Sequence, residues 1–288
     1  MRAADAFAKK GKRMKKITGI IGYPLSHTLS PVMHNAVYKK YGMDWEYRVF
    51  ETKPEDIGDF FRRMRSEKIR GINVTIPHKH AVIPFLDSVD RAAKAIGAVN
   101  TVVNRDGRLC GYNTDWLGFT ESLKKARLSA GDKRVVLLGA GGAAHAVAYS
   151  LKLMRPKSMH ILNIDIPMTE RLIGKIGLKS AFYSDIKPSA EKDRIIASAD
   201  MVINTTSVGQ HDENVPYKLK KLKKGAVVYD IIYNPARTAF LKLAAKKGAR
   251  VINGLDMLIF QGMHSFRIWT GKKSDYSAVR AALKEKGY

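Results

Sequence analysis

The chain has 288 residues, 45% hydrophobic and 27% charged, which is enough for one large or two ordinary soluble domains. Its single cysteine, Cys110, excludes an internal disulfide and any multi-cysteine zinc site, and suits a reducing cytoplasm. The net charge of +25 comes without a recognition-helix or RNA-binding aromatic motif, so it reads as a basic surface that attracts small anions, not as a nucleic-acid interface.

The eight histidines show no metal-ligand spacing, and no metal is expected. The longest uncharged run, Val135 to Leu151, is 17 residues and is broken by Gly139, Gly141 and Gly142; a membrane helix needs about 20 apolar residues. Residues 1–16 carry seven lysines and arginines against one aspartate, with no apolar core of signal-peptide type before Thr18. Residues 1–13 read as a disordered basic extension.

In chain order, Lys16 to Gly22 reads as a strand, followed by a turn at Pro24 and a helix from about Pro31 to Tyr41. Ser30 is its expected N-cap, with Pro31 at the first helical position. A strand follows at Trp45 to Glu51, an amphipathic helix at Pro54 to Ser66 and a strand at Gly71 to Thr75. Pro77 stops pairing and leaves Lys79 just past the strand end. A short helix crosses Ile83, and another is expected from Val89 to Ile96. Ala98 to Asn104 and Leu109 to Tyr112 pair as a hairpin across Asp106-Gly107. Thr114 or Asp115 is placed to cap a helix from Trp116 to Ala126. Strands alternating with helices put this half in the α/β class.

A second unit starts with the apolar strand Arg134 to Leu138, a glycine-rich loop and the helix Ala143 to Met154. Strands at Met159 to Ile164, Met201 to Asn204, Ala226 to Ile231 and Arg250 to Ile252 continue it. After Gly254 the pattern is helical through Trp269, and a last helix spans about Tyr276 to Lys286. Those two helices could return to the first unit and make it discontinuous. The expected fold class is α/β, with two domains.

Gly139-Ala140-Gly141-Gly142-Ala143-Ala144 fits G-x-G-x-x-A between a strand and a helix. The first glycine permits the tight turn, the second lets backbone approach a pyrophosphate, and the small residues allow close packing under a helix N-terminus. The second strand of the unit ends at Asn163-Ile164-Asp165. An acid here accepts hydrogen bonds from a ribose 2′-hydroxyl and repels a 2′-phosphate, which favours NAD over NADP, while Arg171 or Lys175 could still reach round to a phosphate. The bland reading of Asp165 is a surface turn with Pro167.

Several stretches together resemble the shikimate dehydrogenase family, which includes shikimate/quinate enzymes. They are Gly22 to Pro31, Asn73 to Lys79, Gly97 to Thr101, Gly111 to Asp115, Asn204 to Gly209, Asp230 to Pro235, and Gly254 to Gly271 with Gln261-Gly262 and Trp269-Thr270-Gly271. The resemblance runs from Ile17 onward, and it implies a substrate domain of residues 1–114 completed by the helices of 254–288, with a Rossmann dinucleotide-binding domain inserted at 115–253. It implies NAD(P)-dependent, reversible reduction of 3-dehydroshikimate to shikimate, on the route to chorismate and aromatic amino acids. By the same resemblance Thr28, Ser30 and Tyr233 bind the substrate carboxylate. Thr75, Lys79, Asn100, Asp115 and Gln261 surround the ring hydroxyls, and Thr206, Ser207, Ile231 and Gly254 join the coenzyme site. Taken singly, Thr28 and Ser30 could be helix caps, Asn100 a turn residue and Gln261 part of a wet helix face.

Lys79 is the expected proton donor to the substrate carbonyl, with Asp115 holding it. A nearby carboxylate favours the charged ammonium while burial opposes it, so Lys79 either shuttles the proton or orients and polarises. Three positions depart from the family pattern. Threonine stands at 28 where serine is usual, Ile164-Asp165 replace an Arg-Thr pair typical of NADP users, and Gln210 replaces a methionine. Two alternatives to the biosynthetic enzyme follow: an NAD-linked quinate/shikimate dehydrogenase working oxidatively, and a non-catalytic metabolite sensor. The expected partner is a small carboxylate, with no nucleic acid and no membrane, and the protein is read as a monomer or homodimer.

Overall fold

A computed structural model describes residues 15–25, 28–67 and 69–288. The basic extension expected at 1–13 lies outside the described residues. The first unit contains β1 (Lys16–Gly22), α1 (Ser30–Lys40), β2 (Trp45–Glu51), α2 (Ile57–Ser66), β3 (Gly71–Val74), β4 (Ser88–Val89), α3 (Arg91–Ile96), β5 (Thr101–Arg105) and β6 (Arg108–Tyr112). Its sheet has the order β2-β1-β3-β5-β6-β4. β1 is parallel to β2 and β3, while β5 is antiparallel to β3 and β6, so the sheet is mixed.

α4 (Asp115–Lys125) crosses to the second unit: β7 (Arg134–Leu138), α5 (Gly142–Met154), β8 (Ser158–Asn163), α6 (Ile166–Ile176), β9 (Ala181–Asp185), α7 (Ala190–Ser198), β10 (Met201–Asn204), β11 (Val227–Asp230), α8 (Ala239–Lys246) and β12 (Arg250–Ile252). Its strands are ordered β12-β11-β10-β7-β8-β9, all parallel. Numbered within the unit this is 3-2-1-4-5-6, the doubly wound order in which ligands sit at the carboxyl ends of the strands where the winding reverses. Both faces are covered by helices, and the central strands β7, β10 and β11 are correspondingly apolar apart from Arg134, Asn204 and Asp230 at their ends, with Leu137, Val202, Ile203 and Val228 at 0% exposure.

α9 (Leu255–Thr270) and α10 (Tyr276–Glu285) follow β12. Ile259, Phe266, Trp269, Val279 and Leu283 pack with Ile20, Met33, Val37, Tyr38 and Tyr47 in one apolar cluster, so these helices complete the core of the first unit. Trp269 is tied to it by its indole N–H, which donates to the Val102 carbonyl at 2.9 Å. Gly71 makes room for that ring: a Cβ there would strike the indole.

Three local expectations are corrected. Ser30 is not the N-cap of α1 but its first helical residue; Leu29 already has helical φ and ψ, and Pro31 sits one position further in. Val89 belongs to β4, paired with Gly111, because Asp90 starts α3 by accepting from the Ala92 and Ala93 N–H groups. Neither Thr114 nor Asp115 caps α4 with its side chain; Asn113 Oδ1 accepts from the Asp115 N–H at 3.0 Å. The Asp106-Gly107 hairpin turn has φ of +52° and +94°, as a two-residue primed turn requires. Among the described residues no helix is long and apolar enough to cross a membrane, and no cluster of three metal-ligating side chains occurs.

Candidate active site

Lys79 follows β3 by five residues, and its carbonyl is held by the Val99 N–H at 2.8 Å. Its ammonium donates to Asp115 Oδ2 at 2.6 Å, with the two side chains only 17% and 10% exposed. A pair this withdrawn from water is screened little, and each group depends on its partner for solvation. The second oxygen, Asp115 Oδ1, accepts from Asn100 Nδ2 at 2.8 Å. Asn100 Nδ2 also reaches Gln261 Oε1 of α9 at 3.5 Å, so Lys79, Asp115, Asn100 and Gln261 converge at one end of the first sheet.

Asn100 is oriented from behind. Its Oδ1 accepts from the Thr114 backbone N–H at 2.7 Å, a donor with no alternative role, so the amide nitrogen must face Asp115. Thr101 Oγ1 donates to the same oxygen at 3.0 Å and lies 2.8 Å from Ser265 Oγ. Asn73 Nδ2 donates to Ser265 Oγ at 2.9 Å, and the Tyr47 hydroxyl donates to Asn73 Oδ1 at 2.8 Å. The result is a buried polar layer spanning β2, β3, β5 and α9 behind the ion pair.

Tyr47, Asn73, Thr101 and Ser265 are not among the expected site residues, although Asn73, Thr101 and Ser265 lie within the stretches that carry the family resemblance. Gln261 and Ser265 are four apart on α9 and hence share a face, the one signal available in the sequence. Beside this layer, His34 stacks on Tyr47 at 4.4 Å and is 3% exposed; burial lowers its pKa to about 3. Among the described residues its Nε2 has no hydrogen-bond partner.

The remaining expected substrate residues are less tightly joined. Thr28 Oγ1 accepts from the Ser30 N–H at 3.3 Å, and Ser30 is buried. Tyr233, from the loop after β11, packs against the first unit's apolar cluster, and burial raises its hydroxyl pKa. Thr75 sits at the end of β3 against Gly22, where a Cβ would collide with its methyl group.

In the second unit Gly139 has φ +98°, and its Cβ position is 2.7 Å from Thr206 Cγ2, so only glycine fits. Ala140 is buried beneath the loop. Gly141 is the extended N-cap of α5 and faces open space, and no described side chain caps the helix. The first-turn N–H groups at Gly142 and Ala143 are thus left for an anion, which is what a dinucleotide pyrophosphate needs. The two halves approach here: His80, next to Lys79, has its Nε2 3.8 Å from the Cβ position of Gly142.

At the end of β8, Asp165 Oδ1 accepts from the Met168 N–H at 2.8 Å and caps α6. The surface turn expected at Asp165 and Pro167 is instead a helix start, with Pro167 in the first turn of α6 and one Asp165 carboxylate oxygen engaged as its cap. Asn163 Nδ2 donates to the Asp165 carbonyl at 2.8 Å, and Ile164 between them is 84% exposed. Ser207 is exposed beside Thr206, and Ile231 lies against Gly254, whose Cβ position the Ile231 carbonyl fills.

A doubly wound parallel sheet with an open glycine turn, set beside a mixed sheet bearing a withdrawn lysine-aspartate couple, defines the two-domain dehydrogenase class. Residues 20–102 match the shikimate dehydrogenase substrate binding domain and residues 254–284 the shikimate 5′-dehydrogenase C-terminal domain. A shikimate dehydrogenase (NADP(+)) of Geobacillus kaustophilus is 42% identical over 94% of this chain and 99% of its own. The Listeria monocytogenes shikimate 5-dehydrogenase structure, in complex with shikimate and NAD, is 32% identical with a TM-score of 0.87, covering 97% of this chain and 100% of that one. A quinate dehydrogenase from Corynebacterium glutamicum in complex with NAD is 30% identical with a TM-score of 0.86, covering 94% and 99%. The chain belongs to the shikimate dehydrogenase family.

Proposed function

We propose that this protein catalyses the reversible, NAD(P)-linked reduction of 3-dehydroshikimate to shikimate, with Lys79 and Asp115 as the catalytic pair. The observation that carries this reading is the 2.6 Å Lys79–Asp115 contact, backed by Asn100 and Gln261 and set next to the glycine turn. When bound, the coenzyme supplies or accepts the hydride. Lys79 provides a proton and a positive charge where the carbonyl oxygen becomes an alkoxide. Asp115 holds the ammonium in place, and with Asn100 and Gln261 offers a fixed pattern of donors and acceptors to ring hydroxyls. Such a pattern rejects analogues that leave these groups unpaired. Thr28, Ser30 and Tyr233 are the proposed carboxylate side of the pocket, and Thr75 joins the residues around the ring hydroxyls.

The proposed division of labour assigns substrate to residues 1–114 with 254–288, and coenzyme to residues 115–253. Gly139 to Ala143, Asn163, Asp165, Thr206, Ser207, Ile231 and Gly254 form the coenzyme site in this reading. NAD is the favoured partner, although the Geobacillus relative carries NADP(+) in its name. Ile164 brings no cation to a 2′-phosphate, and Asp165 adds a negative charge beside it. The single cysteine suits a cytoplasmic protein, acting as a monomer or homodimer.

The likeness to an NAD-complexed quinate dehydrogenase, together with Asp165, supports a second reading as an NAD-linked quinate/shikimate dehydrogenase working oxidatively. Initial rates with shikimate and quinate, each with NAD and NADP, decide between the two. Turnover of shikimate with at least tenfold preference for NAD is the expected result. Comparable turnover of quinate favours the second reading, and no turnover in any combination sinks both.

A further inference from the structure

We propose that Asp230 is a positioning residue for the dinucleotide: its buried carboxylate fixes two segments of the coenzyme site, Thr206–Ser207 and Ile231–Gly254. The inference rests on the functional reading above and deepens it at a residue that touches neither substrate nor coenzyme in that reading.

Asp230 ends β11 and is paired in register with Asn204, which ends β10. It is 0% exposed, and burial pushes its carboxyl pKa up. Three donors meet it. Oδ1 accepts from Asn204 Nδ2 at 3.0 Å and from the Ile232 N–H at 3.1 Å, and Oδ2 accepts from Thr238 Oγ1 at 2.7 Å. The Thr206 backbone N–H can only donate, so it holds the Asn204 amide oxygen outward and turns the amide nitrogen toward Asp230.

That outward oxygen takes two hydrogen bonds from one residue. Asn204 Oδ1 accepts from the Thr206 N–H at 3.0 Å and from Thr206 Oγ1 at 2.7 Å. Thr206 Oγ1 in turn accepts from the Val208 N–H at 3.2 Å. This is the loop that presses on Gly139, so its position also sets the clearance over the first glycine. On the other side, the Ile232 N–H is pinned by Asp230 while the Ile232 carbonyl accepts from the Gly254 N–H at 3.0 Å. One carboxylate thus ties the Thr206–Ser207 loop and the Ile231–Gly254 crossing to the same point.

A purely structural carboxylate would change melting temperature and leave ligand affinity intact. The proposal predicts a selective effect instead. Dissociation constants for NADH and NADPH, measured by fluorescence without substrate, are compared with KM for shikimate. For Asp230→Ala the coenzyme dissociation constant rises at least tenfold, and shikimate KM, which this variant can touch only through the Tyr233 loop, rises clearly less. Asp230→Asn stays within threefold of the parent, because an amide oxygen at Oδ1 still accepts from Asn204 and Ile232 and the Thr238 hydroxyl can turn to accept.

Asn204→Ala removes the Thr206 arm and one donor to Asp230 but leaves the Ile232 and Thr238 bonds, and provides the answer should Asp230→Ala fail to fold; it too weakens coenzyme binding at least tenfold. Parental coenzyme affinity in folded Asp230→Ala or in Asn204→Ala overturns the proposal, as do equal losses for coenzyme and shikimate. A parent protein that binds neither nucleotide overturns the functional reading itself, a result distinct from nucleotide binding that ignores Asp230.

Discussion

The ends of the two sheets that face the site are built from different materials. In the first sheet the candidate chemistry rests on side chains: Lys79, Asp115 and Asn100, supported by Thr101, Ser265, Asn73 and Tyr47 in an almost dry layer. In the second sheet it rests on backbone: a left-handed glycine, an uncapped helix N-terminus and a loop held by Asn204. Side-chain sites discriminate by the pattern of donors and acceptors, and lose function when one partner is removed. Backbone sites tolerate most side-chain changes but not an added Cβ or a shifted loop. The contrast fits a division in which the ring must be told from similar polyols, while the pyrophosphate needs only charge and room.

The sharpest way to break this comparison is at Lys79. Lys79→Ala is expected to lower kcat by ~10²–10⁴, the range for losing a positioned proton donor, with shikimate KM changed far less. An unchanged turnover number removes Lys79 from the chemistry. For the second region, Gly139→Ala places a Cβ 2.7 Å from Thr206 Cγ2 at φ +98°. Strain of this kind costs about 1–3 kcal/mol, so coenzyme KM should rise by roughly 5- to 150-fold with shikimate KM little changed. Equal sensitivity of the two KM values would dissolve the distinction between the regions.

A smaller effect sharpens the account of the dry layer. His34 is buried neutral, with its pKa lowered from 6.5 to about 3 by burial. Because the folded value lies below the unfolded one, the unfolded chain binds the extra proton first. Stability is intact above pH 6.5 and declines as pH falls toward 3. At pH 5 the loss from this group is about 2 kcal/mol. His34→Phe should shrink the fall in unfolding free energy between pH 7 and pH 5 by that amount, as denaturant titrations would show. An identical fall in both proteins would mean that His34 is accessible to protons in the folded state.

Much of the architecture was legible along the chain, since it depends on short-range signals. Lys16–Gly22, Trp45–Glu51 and Arg134–Leu138 follow the expected strand limits, and the Asp106-Gly107 turn joins the expected hairpin. The strand β9 and the helices α6, α7 and α8 have no counterpart among the elements expected from the sequence. Boundaries failed where a side chain was drawn into tertiary contacts: Thr114 was expected to cap α4, but its hydroxyl lies 3.0 Å from Asn100 Nδ2 and 3.2 Å from Ser265 Oγ. Asp165 shows the converse, since a residue singled out for ribose also has a local task as the cap of α6.

The residue types by themselves determined the α/β class, the glycine turn and the suspicion that Lys79 and Asp115 act together, because period, turn chemistry and charge are properties of short segments. Only the folded chain decided that Ser265 of α9 stands behind Asn100 and that Asp230 reaches Thr206 through Asn204. Hydrogen bonds form between atoms about 3 Å apart in space. Residues 26 to 192 positions apart in sequence acquire that proximity through strand register and helix packing, which no local pattern encodes.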